Sequence, residues 1–139
     1  MRIVVDTNIL VSALLAPASL PAQLLVLWRQ DRFILLTATE QFDELRRVTR
    51  YPKIRERLPP ALAGRLINDL RGLAVVLDRL PSISVSPDPN DDYLLAIAEA
   101  GGADVLLTGD KRDLLSLQRH GSTRILTVRA FLDGQGRAP

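Results

Sequence analysis

The start of the chain is its most constraining feature, because three consecutive β-branched residues, Ile3 to Val5, end abruptly at Asp6. A β-branched run without a polar residue predicts a short strand that is buried on both faces, as in a parallel sheet. In such sheets, ligands bind beyond the carboxyl ends of the strands. We therefore expect Asp6 at the ligand-binding edge, and Thr7 or Asn8 as the cap of the helix that follows.

The rest of the 139-residue chain alternates short apolar runs with helical segments, and its length fits one domain. This alternation predicts a single α/β domain of three layers, with a mainly parallel five-stranded sheet flanked by helices. We place the domain at residues 1–133 and expect residues 134–139 to form a flexible tail. The five strands are predicted near residues 3–5, 33–36, 73–77, 105–108 and 124–128.

Three further expectations concern the ends of helices. Thr37 or Thr39 is expected to cap the third helix, and Gly72 is expected to end the helix that starts near residue 61. A helix is also expected from Lys111 to Arg119, with His120 as a residue at its end.

Composition excludes several classes of protein. Hydrophobic residues make up 47% of the chain, an ordinary globular share that argues against disorder. The chain has no cysteine, which excludes a disulfide framework or a thiolate metal site and favours a reducing cytoplasm. No apolar run approaches the roughly 20 residues of a membrane span, and we expect neither a signal peptide nor a membrane partner.

Charge is unevenly distributed, although the net charge is only +2. Residues 46–71 contain eight basic residues and two acidic ones. The segment is either an arginine-rich helical hairpin with a solvated face or a rim that binds phosphate groups beside an acidic site. The basic residues are Arg46, Arg47, Arg50, Lys53, Arg55, Arg57, Arg65 and Arg71.

Two predicted strands are followed by an acid, Asp6 after the first strand and Asp110 after Thr108-Gly109. If the two strands are neighbours, their carboxyl ends share one edge and the two acids approach each other. Like charges held close in a partly dry site repel, so they require a raised pKa or a bound cation. No lysine follows Asp6, and ligands that are all oxygen atoms indicate Mg²⁺ or Mn²⁺.

The third helix offers one acid that could join them. At about 100° per residue, Glu44 falls at the edge of the inward stripe formed by Phe42, Leu45 and Val48, whereas Asp43 faces solvent. A surface ion pair with a following arginine is the alternative explanation for Glu44.

The segment after the proline-rich loop is dense in carboxylates. Pro89 favours the first helical position, so Asp88 is the expected cap and Asp91 falls close to a capping-box position. Asp92 then has no structural task, although the helix dipole also favours an acid there. We prefer Asp92 as a metal ligand, but the spacing leaves open whether Asp91 or Asp92 is used. Asp113 either caps the next helix or completes the metal site.

In their order, these motifs resemble those of PIN-domain nucleases. The matching segments are Val-Asp-Thr-Asn near the start, Glu-Leu followed by basic residues, Asp-Pro-x-Asp-Asp, and Thr-Gly-Asp-Lys-x-Asp-Leu-Leu. More narrowly, the chain resembles the bacterial and archaeal PIN group that is assigned to toxin components of toxin–antitoxin systems. The similarity runs from Arg2 to about Leu132; each motif alone is weakly specific, whereas the ordered set is strongly specific.

The resemblance implies a metal-dependent endoribonuclease that uses Mg²⁺ or Mn²⁺, cleaves RNA, forms a homodimer and pairs with an antitoxin protein. The implied catalytic and metal-binding acids are Asp6, Glu44, Asp92 and Asp110, with Asp113 as a further, more variable acid. The polar residues implied to orient the carboxylates are Asn8 and Thr108. Basic side chains after Glu44 are expected to bind flanking phosphates, namely those of Arg46, Arg47, Arg50 and Lys53.

Two other classes of protein are weighed against this one. An aspartate-nucleophile phosphatase or phosphotransfer domain needs a second acid two residues after Asp6, where Asn8 stands, and a lysine near the end of the later strand. Lys111 instead follows Asp110. In a non-catalytic RNA- or protein-binding α/β module, the acids would serve only as helix caps.

Overall fold

A six-stranded sheet forms the middle layer of the computed structural model, which describes residues 1–109 and 112–135. The strands are β1 (Arg2–Val5), β2 (Ile34–Ala38), β3 (Val75–Leu77), β4 (Val105–Leu107), β5 (Arg119–His120) and β6 (Thr123–Leu126). The helices are α1 (Thr7–Leu15), α2 (Leu20–Arg29), α3 (Thr39–Thr49), α4 (Pro52–Arg55), α5 (Pro60–Leu73), α6 (Asp92–Gly101), α7 (Arg112–Leu115) and α8 (Val128–Gln135), and a 3₁₀ turn spans Pro89–Asp91.

The strand order is β3-β2-β1-β4-β6-β5. All described pairings are parallel except that of β5 with β6, which is antiparallel. The prediction of an α/β fold with a mainly parallel sheet between helices is therefore confirmed. The count of five strands is wrong, because β5 adds a sixth strand at one edge.

Strand β1 lies in the centre of the sheet and is buried on both faces, which explains its β-branched run. Ile3 and Val5 pack into the apolar cluster that contains side chains of α1, α2, α3, α5 and α8. Val4 points to the opposite face and packs with side chains of α6 and α7. These three strand residues are at most 1% exposed.

The path of the chain defines where a ligand would bind. The first three strands build the sheet outward from β1 in one direction, and α6 then carries the chain back to β4 on the other side of β1. This reversal is the topological switch point of an open α/β sheet, where a crevice forms beyond the carboxyl ends of the strands. Val5 pairs with Leu107, so Asp6 and Thr108 lie side by side at this crevice.

Two of the predicted helix ends are wrong. Helix α7 ends at Leu115, and Arg119 and His120 pair with β6 instead of continuing the helix predicted from Lys111. Gln118 and Gly121 both have positive φ, 60° and 59°, and thus turn the chain into a hairpin. Residue 111, at the start of that predicted helix, lies outside the described residues, as does residue 110.

Helix α5 continues past Gly72 to Leu73, where the Ala74 N–H closes it by donating to Leu70 O at 3.1 Å. A single glycine near a helix end lowers helical stability but does not stop a helix whose inner face is packed.

The caps of α1 and α3 also differ from the predictions. Asp6 itself caps α1 and accepts a hydrogen bond from the Asn8 N–H, so neither Thr7 nor Asn8 is the cap. Helix α3 begins after Ala38 without a side-chain cap, and the Thr37 hydroxyl donates to Gln41 instead. The Asp88 cap is present as predicted, and Ser19 caps α2.

The last described helix, α8, reaches Gln135. The predicted domain end at residue 133 therefore stays a prediction, and residues 136–139 lie outside the described residues. By length and composition, none of the described helices qualifies alone as a membrane span; α1 and α2 qualify only as a pair, with a 100° bend between them.

We expect Gly101→Ala to lower the free energy of unfolding by about 1–3 kcal/mol, the usual cost of overpacking a filled core. A Cβ at Gly101 would lie 2.7 Å from Leu36 Cδ1 and 3.1 Å from Leu77 Cδ1, and Leu36 is fully buried. Urea unfolding measures the change. Gly72→Ala, where an added Cβ meets no atom within 4 Å, is the matched control and should be at least as stable as the wild type.

Candidate active site at the carboxyl edge of the sheet

Asp6 is a carboxylate buried at the switch point, with only 1% of its surface exposed. Its Oδ2 accepts a hydrogen bond from Thr108 Oγ1 at 2.9 Å, and its Oδ1 accepts one from the Asn8 N–H at 3.2 Å. Burying a charged group is costly unless hydrogen bonds compensate, and these bonds hold the carboxylate in one place. Thr108 thus orients Asp6 through its side chain, whereas Asn8 does so through its backbone and keeps its side chain exposed.

Glu44 lies on the inward side of α3, as predicted, and its side chain is 21% exposed. Its Oε1 accepts a hydrogen bond from the Tyr93 hydroxyl, and its Oε2 lies 3.5 Å from Arg47 Nη2. The Arg47 side chain is 64% exposed, so this ion pair is weak compared with the contact to Tyr93. Asp43 faces solvent, also as predicted.

Tyr93, on α6, connects Glu44 to Thr7, the residue beside Asp6, and no sequence pattern predicts this role. Its oxygen lies 2.9 Å from Thr7 Oγ1, and Thr7 Oγ1 lies 3.4 Å from Gln41 Nε2. Because the tyrosine proton goes to Glu44, the Thr7 hydroxyl donates to Tyr93 and accepts from Gln41. The result is a directional chain of hydrogen bonds from Gln41 through Thr7 and Tyr93 to Glu44.

Burial raises the pKa of the Tyr93 hydroxyl far above its usual range. The hydrogen bond to Glu44 raises this pKa further, the bond with Thr7 opposes the rise, and the negative charges of Glu44 and Asp6 add to it. Both carboxylates therefore raise the pKa of the same hydroxyl group, Glu44 through a hydrogen bond and its charge and Asp6 through its charge alone.

A second group of acids lies where the 3₁₀ turn meets the start of α7. One carboxylate oxygen from each of Asp88, Asp91 and Asp113 lies within 4.8 Å of the others, and Asp91 is only 4% exposed. Opposite ligands of an octahedral Mg²⁺ ion are about 4.2 Å apart, so these three oxygens are close enough to hold one hard cation. A possible acidic metal site is therefore present, and its all-oxygen donors suit Mg²⁺ and Mn²⁺ equally.

The sequence predicts no structural role for Asp92, but the structure shows that it has one. Its Oδ1 accepts hydrogen bonds from the backbone N–H groups of Val85 at 3.1 Å and Ser86 at 2.8 Å. The reason is that Pro89–Asp91 forms a 3₁₀ turn and not the first turn of the α-helix that the sequence predicts, so successive side chains point in other directions. Of the two neighbours left open by the sequence, Asp91 is the one that joins other acids.

The remaining predicted acid, Asp110, lies outside the described residues. The four acids proposed from the sequence are therefore not seen together, and their catalytic and metal-binding roles stay predictions. Asn90 from the 3₁₀ turn lines the same hollow of about 390 Å³ as Glu44 and Tyr93. The 3₁₀ turn Pro89–Asp91 thus lies beside Glu44 and Tyr93.

Basic side chains lie next to Glu44 on the exposed side of α3. Arg46, Arg47 and Arg50 line a hollow of about 410 Å³ together with Asp43 and Tyr51. The other residue predicted to bind RNA, Lys53, is exposed on α4. Their role in binding RNA stays a prediction, but all four side chains lie where a ligand can reach them.

Taken together, these features define an α/β protein with carboxylates gathered at the carboxyl edge of a parallel sheet. Comparison with known families agrees: the model of the PIN domain matches residues 2–112, and the chain belongs to the PIN domain family. An uncharacterized protein of Methanocaldococcus jannaschii is 26% identical over 119 residues, which cover 85% of this chain and 76% of that protein. No solved structure matched the chain. PIN domains are typically nucleases.

The raised pKa of Tyr93 predicts how stability changes in alkaline solution. A folded-state pKa above the ordinary value of 10.0 stabilises the protein below about pH 10, and this contribution is lost as the pH rises further. In Tyr51→Phe, Tyr93 is the only tyrosine left. We expect its phenolate absorbance to appear only together with unfolding.

The control is the same variant with Tyr93→Phe added, measured by urea unfolding at a series of pH values. The difference in unfolding free energy between the two proteins should shrink above pH 10 by up to about 1.4 kcal/mol per pH unit. A phenolate signal that develops while the protein is still folded would contradict the placement of Tyr93.

Proposed function

We propose that this PIN-domain protein is a metal-dependent endoribonuclease that hydrolyses RNA phosphodiester bonds with its clustered acids. The observation that carries the proposal is the cluster of Asp88, Asp91 and Asp113. Asn90, from the same 3₁₀ turn as Asp91, lines one hollow together with Glu44. A family that typically contains nucleases supplies the class of reaction.

The divalent ion would be held by Asp88, Asp91 and Asp113. Asp110, which lies outside the described residues, is a further candidate. When bound, Mg²⁺ or Mn²⁺ would lower the pKa of a water ligand and offset the charge of the scissile phosphate. Asp92 is less suited as a ligand, because one of its oxygens already accepts two backbone hydrogen bonds.

The other acids act through their fixed positions. Thr108 and the Asn8 N–H hold the Asp6 carboxylate, and Tyr93 holds that of Glu44, so neither side chain has to be ordered when substrate arrives. A carboxylate held in this way accepts a proton from an attacking water more effectively than a mobile one. Arg46, Arg47, Arg50 and Lys53 would hold the flanking phosphates and contribute affinity with little sequence discrimination.

We expect Asp91→Asn to lower the rate of RNA cleavage by at least about 100-fold, because losing a ligand should cost at least as much as losing one of the outer partners of a ligand, which costs up to about 100-fold. Asp92→Asn should stay within a few-fold of the wild type, since the asparagine Oδ1 still accepts the hydrogen bonds of Val85 and Ser86. The assay is cleavage of a labelled single-stranded RNA with Mn²⁺ or Mg²⁺, and EDTA should abolish it.

Two further measurements make this test decisive. Asp6→Asn should be as inactive as Asp91→Asn, and equal cleavage by wild type and Asp6→Asn would remove the active-site proposal. Calorimetric titration with Mn²⁺ should show binding to the wild type and weakened binding to Asp91→Asn. Strong impairment of Asp92→Asn together with full activity of Asp91→Asn would reverse the assignment of the two neighbours.

A finer proposal is that the enzyme is the toxin of a toxin–antitoxin pair and works in the cytoplasm as a homodimer. Its support is the ordered set of motifs that resembles the toxin group. Induced expression of the wild type should then arrest bacterial growth, whereas Asp6→Asn at equal expression should not. Normal growth with active wild-type enzyme present would contradict the toxin role and leave the nuclease proposal intact.

A further inference from the structure

Helices α3, α4 and α5 enclose a third hollow of about 250 Å³, the arginine hollow, and none of the acids of the candidate active site lines it. Arg46, Arg50 and Arg55 line it, and no acidic residue is among its lining residues. Within the part of the chain that the structure describes, no carboxylate lies within 4.0 Å of the Arg50 or Arg55 guanidinium. Arg46 contacts Asp43 at 3.2 Å, but that carboxylate is 77% exposed and the pair is weak.

The base of this hollow is apolar, because Leu58, Ala63 and Ile67 line it and are buried. Positive charges above an apolar surface are less screened than charges that water surrounds on all sides. The hollow therefore favours an anion, and forked guanidinium groups suit the oxygens of a phosphate.

Gly64 lies in the wall of the hollow, inside helix α5. Glycine is among the poorest residues for a helix interior. Packing does not explain its presence, because a Cβ at this position would meet no atom within 4 Å. Gly72 in the same helix has equally open surroundings but does not line the hollow. The missing side chain at Gly64 leaves the hollow open down to the helix backbone.

A chain of shared lining residues connects the arginine hollow to the hollow that contains Glu44. It shares Arg46 and Arg50 with the hollow that Tyr51 lines, and that hollow shares Asp43 and Arg47 with the one that contains Glu44. The three hollows follow one another across α3. Tyr51 is 50% exposed beside the middle hollow, where its ring is available to stack on an unpaired base.

We propose that the arginine hollow of Arg46, Arg50, Arg55 and Gly64 binds a backbone phosphate of single-stranded RNA, at a distance from the phosphate that is cleaved. The inference rests on the proposed function, since it takes RNA as the ligand. A single strand is favoured because its flexible backbone can follow successive hollows and present a base to Tyr51.

The test compares Gly64→Ala with the matched control Gly72→Ala. Binding is measured by fluorescence anisotropy in EDTA, so that cleavage and metal play no part, with a labelled single-stranded decanucleotide. Gly64→Ala should weaken decanucleotide binding about fivefold to tenfold, the effect of losing about one hydrogen bond of ordinary strength, while Gly72→Ala stays within about twofold.

Arg55→Gln provides a second readout. It should reduce the slope of log affinity against log salt concentration by about 0.7, the value for one phosphate contact on a single strand. Equal decanucleotide affinities for the two alanine variants, with an unchanged slope for Arg55→Gln, would overturn the subsite even if the protein cleaves RNA. Decanucleotide binding with the expected differences, but without cleavage by the wild type, would keep the subsite and overturn the nuclease. Inorganic phosphate is the remaining probe, and if it binds as tightly as the decanucleotide, the hollow is a free-phosphate site instead.

Discussion

The parallel pairing of β1 with β4 is the constraint on which the rest of the site depends. It places the Asp6 N–H 2.8 Å from Leu107 O and brings Thr108 Oγ1 to the Asp6 carboxylate. The carboxylate is buried by strands that are themselves buried on both faces, so it cannot turn toward solvent without disturbing the centre of the sheet. An acid held in this way is costly to keep in a fold unless the position is used.

Tyr93 links the two helical layers that cover the faces of the sheet. Glu44 belongs to α3, which packs on one face of the sheet, and Tyr93 belongs to α6, which packs on the opposite face. They meet beyond the carboxyl edge, where no strand separates them, and the hydrogen bond through Thr7 ties both to the start of α1. The position of Glu44 relative to Asp6 therefore depends on how α1, α3 and α6 pack on the sheet, and not on one loop.

Sequence reasoning succeeds where the signal is local and periodic. The β-branched run predicts β1 and the position of Asp6, and the helical period of α3 separates Glu44 from Asp43. It fails where the backbone conformation of a few residues determines the local structure. A 3₁₀ turn in place of an α-turn brings Asp91 to Asp88 and Asp113 and directs Asp92 to the backbone of Val85 and Ser86. Positive φ at Gln118 converts a predicted helix end into β5. Tyr93 is not predicted because an aromatic residue on a helix usually indicates a position in the hydrophobic core. No sequence pattern shows that its hydroxyl bonds to Glu44 and Thr7.

Helix α3 also bears on a conflict that the proposed nuclease would face. Clustered carboxylates would repel an RNA substrate, and this repulsion is strong where a site is partly dry. Arg47 follows Glu44 by three residues, and Arg50, one turn after Arg46, is the C-terminal cap of the same helix. Because one helix carries both signs of charge, any attraction for neighbouring phosphates would act at a fixed distance from Glu44. A chain with the same net charge of +2 spread evenly would lack this arrangement, so the distribution of charge matters more here than its sum.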